Sequence, residues 1–223
     1  MRILLTAFEA YEQWSENSSW LTLIELLKDR LHQGDLVTRR YPVDLPSLRE
    51  RLYQDLQMGF DTVLHLGQSP GSPNIKLEML AVNFAGRVEN DGQELGVIVQ
   101  DGPLAYRTQL PMGRWADMLR QQDIPACVSY HAGTFLCNAT MYLSLHYGHS
   151  LTKCPHVGFI HLPLTTHQVV QNTNTLPCLP VQTLARAVRL LLDDLSQSEP
   201  ESMNLPADWA TFGDPTTNSS TIA

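Results

Sequence analysis

Short apolar runs alternate with amphipathic segments along most of the chain, and this alternation predicts a parallel sheet with helices on both faces. Residues 2–8, RILLTAF, have the continuous apolar character of a buried first strand. Residues 18–32 begin with Ser, carry apolar residues at helical spacing and are followed by Gly34, which is typical of a helix. The same order of strand and helix is then repeated.

The rest of the pattern completes one α/β domain. Further strands are predicted at 36–43, 61–67, 75–84, 126–130 and 156–163, and further helices at 46–57, 112–122, 136–148 and 180–195. Turn residues at 87–96 indicate a hairpin or loop, so a local antiparallel excursion is expected there. We therefore predict a single catalytic α/β domain at 1–195, a three-layer α/β/α sandwich around a mostly parallel, twisted sheet. A mobile polar C-terminal tail is predicted at 196–223.

Composition and charge exclude several classes of partner. The 223 residues include 15 Lys and Arg against 23 Asp and Glu, and the formal charge of −8 would repel nucleic-acid phosphates and anionic lipids. The first apolar run is too short for a signal sequence, and no stretch approaches the ~20 apolar residues of a membrane helix. The cysteines form no CxxC pair, so we expect free thiols and a cytoplasmic location. They are Cys127, Cys137, Cys154 and Cys178.

Cys137 has a different setting from the other cysteines. It follows a predicted strand and the turn HAGTF, and it stands at the start of a predicted helix. Unpaired backbone N–H groups and the helix dipole at such a position favour a thiolate, and the same N–H groups can hold an oxyanion. The alternative interpretation is a small buried apolar residue, as most free cysteines are.

A nucleophilic thiol needs a base and a group that orients the base. His161 is predicted at the carboxyl end of a strand, where open α/β sheets place their ligands. His131 is a second candidate, and His65 falls in the middle of a strand. Glu78 is a carboxylate within an apolar strand, although alternation would also allow it to face water together with Lys76. A core histidine bonded to a backbone carbonyl is the alternative interpretation of His161.

Metal and phosphate sites have little support. Cys154 and His156 lack a second pair of ligands at the usual spacing, so no metal is predicted. Residues 67–74, GQSPGSPN, match neither the dinucleotide fingerprint nor the phosphate loop.

Five blocks taken together resemble the pyroglutamyl-peptidase I (pyrrolidone carboxyl peptidase) family of cysteine peptidases. The blocks are TAFEAY (6–11), GQSPG (67–71), IKLEMLAVN (75–83), VSYHAGTFLCN (128–138) and GFIHLP (158–163). The resemblance implies removal of an N-terminal pyroglutamyl residue from peptides with a blocked N-terminus, by way of a thioester. It also implies a single α/β/α domain, no cofactor, a cytoplasmic location and a homo-oligomer, often a tetramer.

By this resemblance the nucleophile, base and carboxylate are Cys137, His161 and Glu78. The resemblance also places the flat lactam ring of the substrate between three aromatic side chains, Phe8, Tyr11 and Phe135. Three further residues would complete the site: Gln68 at the edge of the pocket, Asn17 ordering the first loop, and Arg87 near the carboxylate and the oxyanion.

Departures from the family pattern lie around the predicted pocket. In the first loop, TAFEAYEQ stands where the family has a sequence close to TGFEPFGG, so Ala7 and Glu12 replace glycines. Ser72 and Met79 stand where arginine is usual, and His131 where threonine is usual.

Two alternatives therefore stay open: a divergent cysteine amidase or peptidase for another N-capped acyl group, and an inactive homologue that acts as a binding module. A nucleoside phosphorylase-like enzyme would share the layers, but no phosphate site is found.

Overall fold

The computed structural model describes residues 1–28, 35–86, 96–171 and 175–197. The strands in this part of the chain are β1 (Arg2–Phe8), β2 (Asp35–Tyr41), β3 (Thr62–Gln68), β4 (Ile75–Glu78), β5 (Leu80–Val82), β6 (Ala105–Arg107), β7 (Ala126–Ser129), β8 (His156–Leu162), β9 (Leu164–Thr165) and β10 (Cys178–Leu179). The helices are α1 (Ser18–Lys28), α2 (Leu45–Leu56), α3 (Met112–Gln121), α4 (Leu136–Gly148), α5 (Thr166–Gln171) and α6 (Val181–Gln197).

A six-stranded sheet in the order β2-β1-β3-β8-β4-β7 forms the middle layer. Strands β2, β1, β3 and β8 are parallel, whereas β4 runs antiparallel to β8 and parallel to β7. Two small sheets, β5-β6 and β9-β10, lie outside it. The carboxyl ends of β1, β3 and β8 meet at one edge, which is where open α/β sheets bind ligands.

Alternating side chains of the strands build two cores, one on each face of the sheet. One core joins α1, α3 and α6 to strand residues such as Leu5, Leu66 and Ile160. The other joins α2 and α4 to residues such as Leu4 and Phe159. Both faces of the sheet are therefore buried, which explains the continuous apolar strands of the sequence. The predicted α/β/α sandwich around a mostly parallel sheet is confirmed.

The single strand predicted at 75–84 is wrong. The chain leaves the central sheet at Met79, so β4 belongs to that sheet and β5 to the small antiparallel sheet. The backbone of Met79 makes this transition by donating to Ser129 O at 2.7 Å and accepting from Thr108 N at 3.0 Å. The expected antiparallel excursion is present in these strands, although most of the predicted turn at 87–96 lies outside the described residues.

Several short elements were not predicted from the sequence pattern. Strands β6, β9 and β10 and helix α5 have six residues or fewer, too few to show a period. Helix α6 ends at Gln197, two residues beyond the predicted end, and the predicted tail beyond Gln197 lies outside the described residues. None of the described helices is long and apolar enough to span a membrane.

Candidate active site

A cavity of about 360 Å³ opens at the edge of the sheet where β1, β3 and β8 end. All of the predicted site residues except Arg87 line it, and Arg87 lies outside the described residues. The lining residues are Phe8, Tyr11, Asn17, Val43, Gln68, Ser69, Pro70, Lys76, Glu78, His131, Ala132, Gly133, Thr134, Phe135, Leu136, Cys137 and His161. A thiol, titratable groups and aromatic side chains therefore share one cavity.

Cys137 is the second residue of α4, and its side chain is half-buried. The turn before the helix places Gly133 at φ +80°, a conformation that favours glycine. On β3, a Cβ at Gly67 would lie 3.1 Å from Cys137 Sγ and 2.7 Å from the Phe159 ring. Glycine at position 67 therefore makes room for the sulfur directly above the sheet.

Asn138 fixes the start of α4 against β5. Its buried side chain accepts from Val82 N and donates to Val82 O and Phe84 O, each at 2.8 Å. Three hydrogen bonds from one side chain hold the first turn of the helix, and thus Cys137, in a fixed place. Asn138 was not predicted from the sequence, in which its only signal is a polar residue next to the thiol in an apolar segment.

His161 and Glu78 form a buried hydrogen-bonded pair on neighbouring strands. His161 Nδ1 lies 2.8 Å from Glu78 Oε1, and Glu78 is fully buried. Cys137 lies beside His161, close enough for its charge and hydrogen bonding to raise the pKa of the imidazole. Because Nδ1 faces Glu78, Nε2 is the ring nitrogen left for the sulfur. The three side chains thus form a chain from carboxylate to imidazole to thiol.

This arrangement shifts the pKa values of both partners toward their charged forms. Burial lowers the pKa of His161, but the charges and hydrogen bonds of Cys137 and Glu78 outweigh it and raise the pKa to about 9. Burial raises the pKa of Glu78, but the hydrogen bond and charge of His161 outweigh it, with smaller contributions from Ser129 and Lys76. The net effect lowers the pKa of Glu78 below its ordinary value, so the pair is a carboxylate and an imidazolium at neutral pH.

The cavity also has aromatic walls and an oriented amide. Phe8, Tyr11 and Phe135 line the cavity together with Gln68, the last residue of β3. Gln68 Oε1 accepts from Ser18 N and from Gln168 Nε2, both at 2.7 Å. The amide NH₂ of Gln68 is buried, and none of the described residues accepts a hydrogen bond from it. The amide is therefore fixed with its donor group available to a ligand.

Gln168, on α5, orients this amide and was not identified from the sequence. It donates to Gln68 and to Glu16 O, the latter at 2.9 Å, from a helix that is distant from Gln68 in the chain. No local pattern marks a contact of that kind.

Lys76 also lines the cavity, and its position follows from strand alternation once Glu78 is known to face inward.

Asn17 orders the first loop. Its Nδ2 donates to Glu9 O at 3.0 Å, and its Oδ1 accepts from both the backbone and the hydroxyl of Ser19. Glu12, at a position where the family has glycine, adopts φ +53°, in the left-handed region that glycine favours. The loop therefore keeps a glycine-like backbone without the glycine, and Tyr11 still lines the cavity.

The other candidate histidines have different settings. His131 lines the cavity, is exposed, and accepts from Gly133 N through Nδ1 at 2.8 Å. His65 is fully buried between Thr6 Oγ1 at 2.7 Å and Ser144 Oγ at 2.8 Å, away from the cavity. Within the described part of the chain, no three His, Cys, Asp or Glu side chains converge as metal ligands do.

Comparisons with known proteins give one consistent result. The family described as pyroglutamyl peptidase matches residues 1–197. The pyrrolidone-carboxylate peptidase of Bacillus subtilis is 33% identical over 196 residues, covering 85% of this chain and 89% of the relative.

Solved structures agree with this match. The pyrrolidone carboxyl peptidase of Fervidobacterium islandicum has a TM-score of 0.82 and 34% identity, covering 88% of this chain and 99% of that one. The corresponding peptidase of Thermus thermophilus has a TM-score of 0.77 and 35% identity, covering 86% and 98%. The match extends over the whole described domain and includes the strands and the helix that carry the cavity. The chain belongs to the pyroglutamyl peptidase family.

Proposed function

We propose that the protein is a cysteine peptidase that removes an N-terminal pyroglutamyl residue from peptides. The observation that carries the proposal is the hydrogen-bonded pair of Glu78 and His161 beside the Cys137 thiol, with all three side chains lining one cavity. Membership of the pyroglutamyl peptidase family supports the substrate, and it favours pyroglutamate over the other acyl groups and over the inactive binding module considered from the sequence.

In the first half of the reaction, the Cys137 thiolate attacks the pyroglutamyl carbonyl carbon. Backbone N–H groups in the first turn of α4 have no partner within the helix and stabilise the oxyanion. His161 donates its proton to the leaving amine as the C–N bond breaks, and the product is a thioester on Cys137. In the second half, His161 takes a proton from water, the resulting hydroxide attacks the thioester, and pyroglutamate leaves as the thiolate is regenerated. Glu78 orients the ring of His161 and stabilises its positive charge.

The aromatic end of the cavity suits the lactam ring. Phe8, Tyr11 and Phe135 supply apolar walls for a flat ring without a charged amine. The buried NH₂ of Gln68 is the donor for the ring carbonyl. A prolyl substrate lacks that carbonyl, so the Gln68 donor would remain unpaired at a cost of about 1–3 kcal/mol. The prolyl ring would also bring a charged amine into an apolar site. Asn17 holds the first loop in place, and we assign Arg87 a role near the oxyanion on the family resemblance alone.

Hydrolysis of a chromogenic pyroglutamyl amide at neutral pH tests the proposal. We expect turnover by the wild type, a loss of at least about 1,000-fold in Cys137→Ala, and little effect in Cys127→Ala, the matched control on β7. A prolyl amide should not be hydrolysed. Absence of wild-type turnover, or retention of activity in Cys137→Ala, would contradict the proposal.

We further propose that the enzyme acts on peptides as a homo-oligomer in the cytoplasm. The family resemblance supports both the homo-oligomer and the cytoplasmic location. The location is also supported by the cysteines, which are all free in the structure. Light scattering on the purified protein would give the assembly, and a monomer at micromolar concentration would contradict it. Cell fractionation followed by immunoblotting would give the location.

A further inference from the structure

Four strand positions lie in one row across the sheet beneath the cavity. His161 on β8 is paired with Gly67 on β3 and with Lys76 on β4. Thr6 is paired with His65, so Phe8, two residues further along β1, lies level with Gly67. Side chains paired across neighbouring strands point to the same face, so the row runs Phe8, Gly67, His161, Lys76.

Lys76 occupies the end of this row opposite to Phe8. It is half-buried and lines the cavity, and its Nζ lies 3.4 Å from Ser69 Oγ. Within the described residues, no carboxylate lies within ion-pair distance of Nζ. The nearby carboxylate of Glu78 is instead engaged by His161. Among the described residues, Lys76 therefore forms no ion pair with a carboxylate, and its one carboxylate interaction is the longer-range attraction to Glu78.

If the protein has the proposed function, the order of these residues determines the direction in which the substrate peptide runs across the sheet. The lactam ring lies on the Phe8 side of Cys137, and His161 stands next to the sulfur to protonate the leaving amine. The chain beyond the scissile bond then continues past His161, toward Lys76. An ammonium group at this place attracts negative charge on the leaving portion of the substrate.

We propose that Lys76 makes the leaving-group side of the site selective for a carboxylate carried by the residue directly after pyroglutamate. That carboxylate has two sources: an acidic side chain at this residue, or the free C-terminus of a dipeptide. Both are flexible anions that can reach an ammonium group, and the hydroxyl of Ser69 is a further donor beside it. This inference rests on the proposed function, because the direction of the substrate is taken from the roles of Cys137 and His161.

Two matched pairs of substrates test the inference and separate the two sources. Pyroglutamyl-aspartyl amide is compared with pyroglutamyl-asparaginyl amide, and pyroglutamyl-alanine with pyroglutamyl-alanine amide. The readout is the ratio of kcat/KM for the charged member to that for the neutral member. We expect a ratio of about three to ten for the wild type in at least one pair, as for a partly exposed charge pair. The pair that shows it identifies the source of the carboxylate.

Variants of Lys76 test whether this side chain causes the preference for the charged substrate. We expect the ratio to fall to about one in Lys76→Met, to be retained in Lys76→Arg, and to be unchanged in Lys28→Met. The last is a matched control that removes the same charge from the exposed end of α1. Raising the salt concentration should reduce the wild-type ratio, a test that does not depend on the folding of any variant.

Each failure has a distinct meaning. A wild type that hydrolyses the neutral substrates but has ratios near one for both pairs would overturn the role of Lys76 and leave the peptidase function intact. A preference that persists in Lys76→Met would overturn it as well. A wild type that hydrolyses none of the pyroglutamyl substrates would overturn the proposed function and this inference together.

Discussion

Glu78 is a fully buried carboxylate whose pKa is nevertheless lowered, because His161 stabilises its charge. The same contact helps to raise the pKa of His161 to about 9. Replacing Glu78 with Gln removes the negative charge and keeps the shape of the side chain. We therefore expect the pKa of His161 to fall in Glu78→Gln, so that the imidazolium loses its proton at a lower pH.

The pH profile of kcat/KM measures this change. In the wild type, activity should decline above about pH 9, as His161 loses the proton needed by the leaving amine. In Glu78→Gln the alkaline limb should move to lower pH, and the maximum should fall by about 100- to 10,000-fold. Glu50→Gln, on the exposed face of α2, is the matched control and should leave the profile unchanged. An unmoved alkaline limb in Glu78→Gln would mean that Glu78 does not tune His161.

Single residues with an unusual polarity or position were predictable from the sequence. Cys137 stood at a strand–turn–helix junction, His161 ended an apolar strand, and Glu78 interrupted one. Asn138 and Gln168 were not predictable, because their partners lie far away in the chain and nothing local marks such contacts. The sequence therefore indicated the proposed reacting groups better than the side chains that position them.

At the scale of elements, His65 connects three parts of the fold. It lies on β3, and its ring nitrogens bond Thr6 on β1 and Ser144 on α4, the helix that carries Cys137. Burial lowers its pKa to about 3, so His65 is neutral in the folded protein at any pH above that value. In the unfolded chain its pKa is the ordinary ~6.5.

This difference predicts a loss of stability in acid. Between pH 6.5 and 3 the unfolded state binds a proton at His65 that the folded state does not, so the free energy of unfolding falls as the pH falls. The contribution reaches about 1.4 kcal/mol per pH unit. Urea unfolding at several pH values should therefore show a shallower slope for His65→Gln than for the wild type. His149→Gln, at an exposed position, should keep the wild-type slope, and equal slopes in all three proteins would exclude this role for His65.

The sequence pattern predicted the long elements, and the structure differs from the prediction where tertiary contacts determine the path of the backbone. The strand predicted at 75–84 divides at Met79 because the backbone there pairs with Ser129 and Thr108, and hydrophobic periodicity contains no information about those partners. In the first loop, Glu12 stands where the family has glycine. Glu12 nevertheless adopts a positive φ, and Tyr11 lines the cavity. Local composition therefore predicted the existence of elements but not where they change sheet.

For the whole molecule, the catalytic unit is proposed to end with α6. The family match covers residues 1–197, and α6 contributes Leu184, Val188 and Leu195 to the core that also holds α1 and α3. The polar composition of 198–223 offers little apolar surface to bury. A chain that ends at Gln197 thus keeps all of these core contacts and all of the described lining of the cavity.

We expect this truncated chain to fold and to hydrolyse a pyroglutamyl amide with kcat/KM within about twofold of the full chain, since removing polar terminal segments rarely changes a core. The unfolding midpoint in urea and the kinetic constants are measured on both chains. A chain that ends at Leu179 is the control: it lacks α6 and exposes the first core, so it should not fold. Loss of activity with an unchanged midpoint, in the chain that ends at Gln197, would place part of the site in 198–223. A lowered midpoint would instead assign those residues a share in the core.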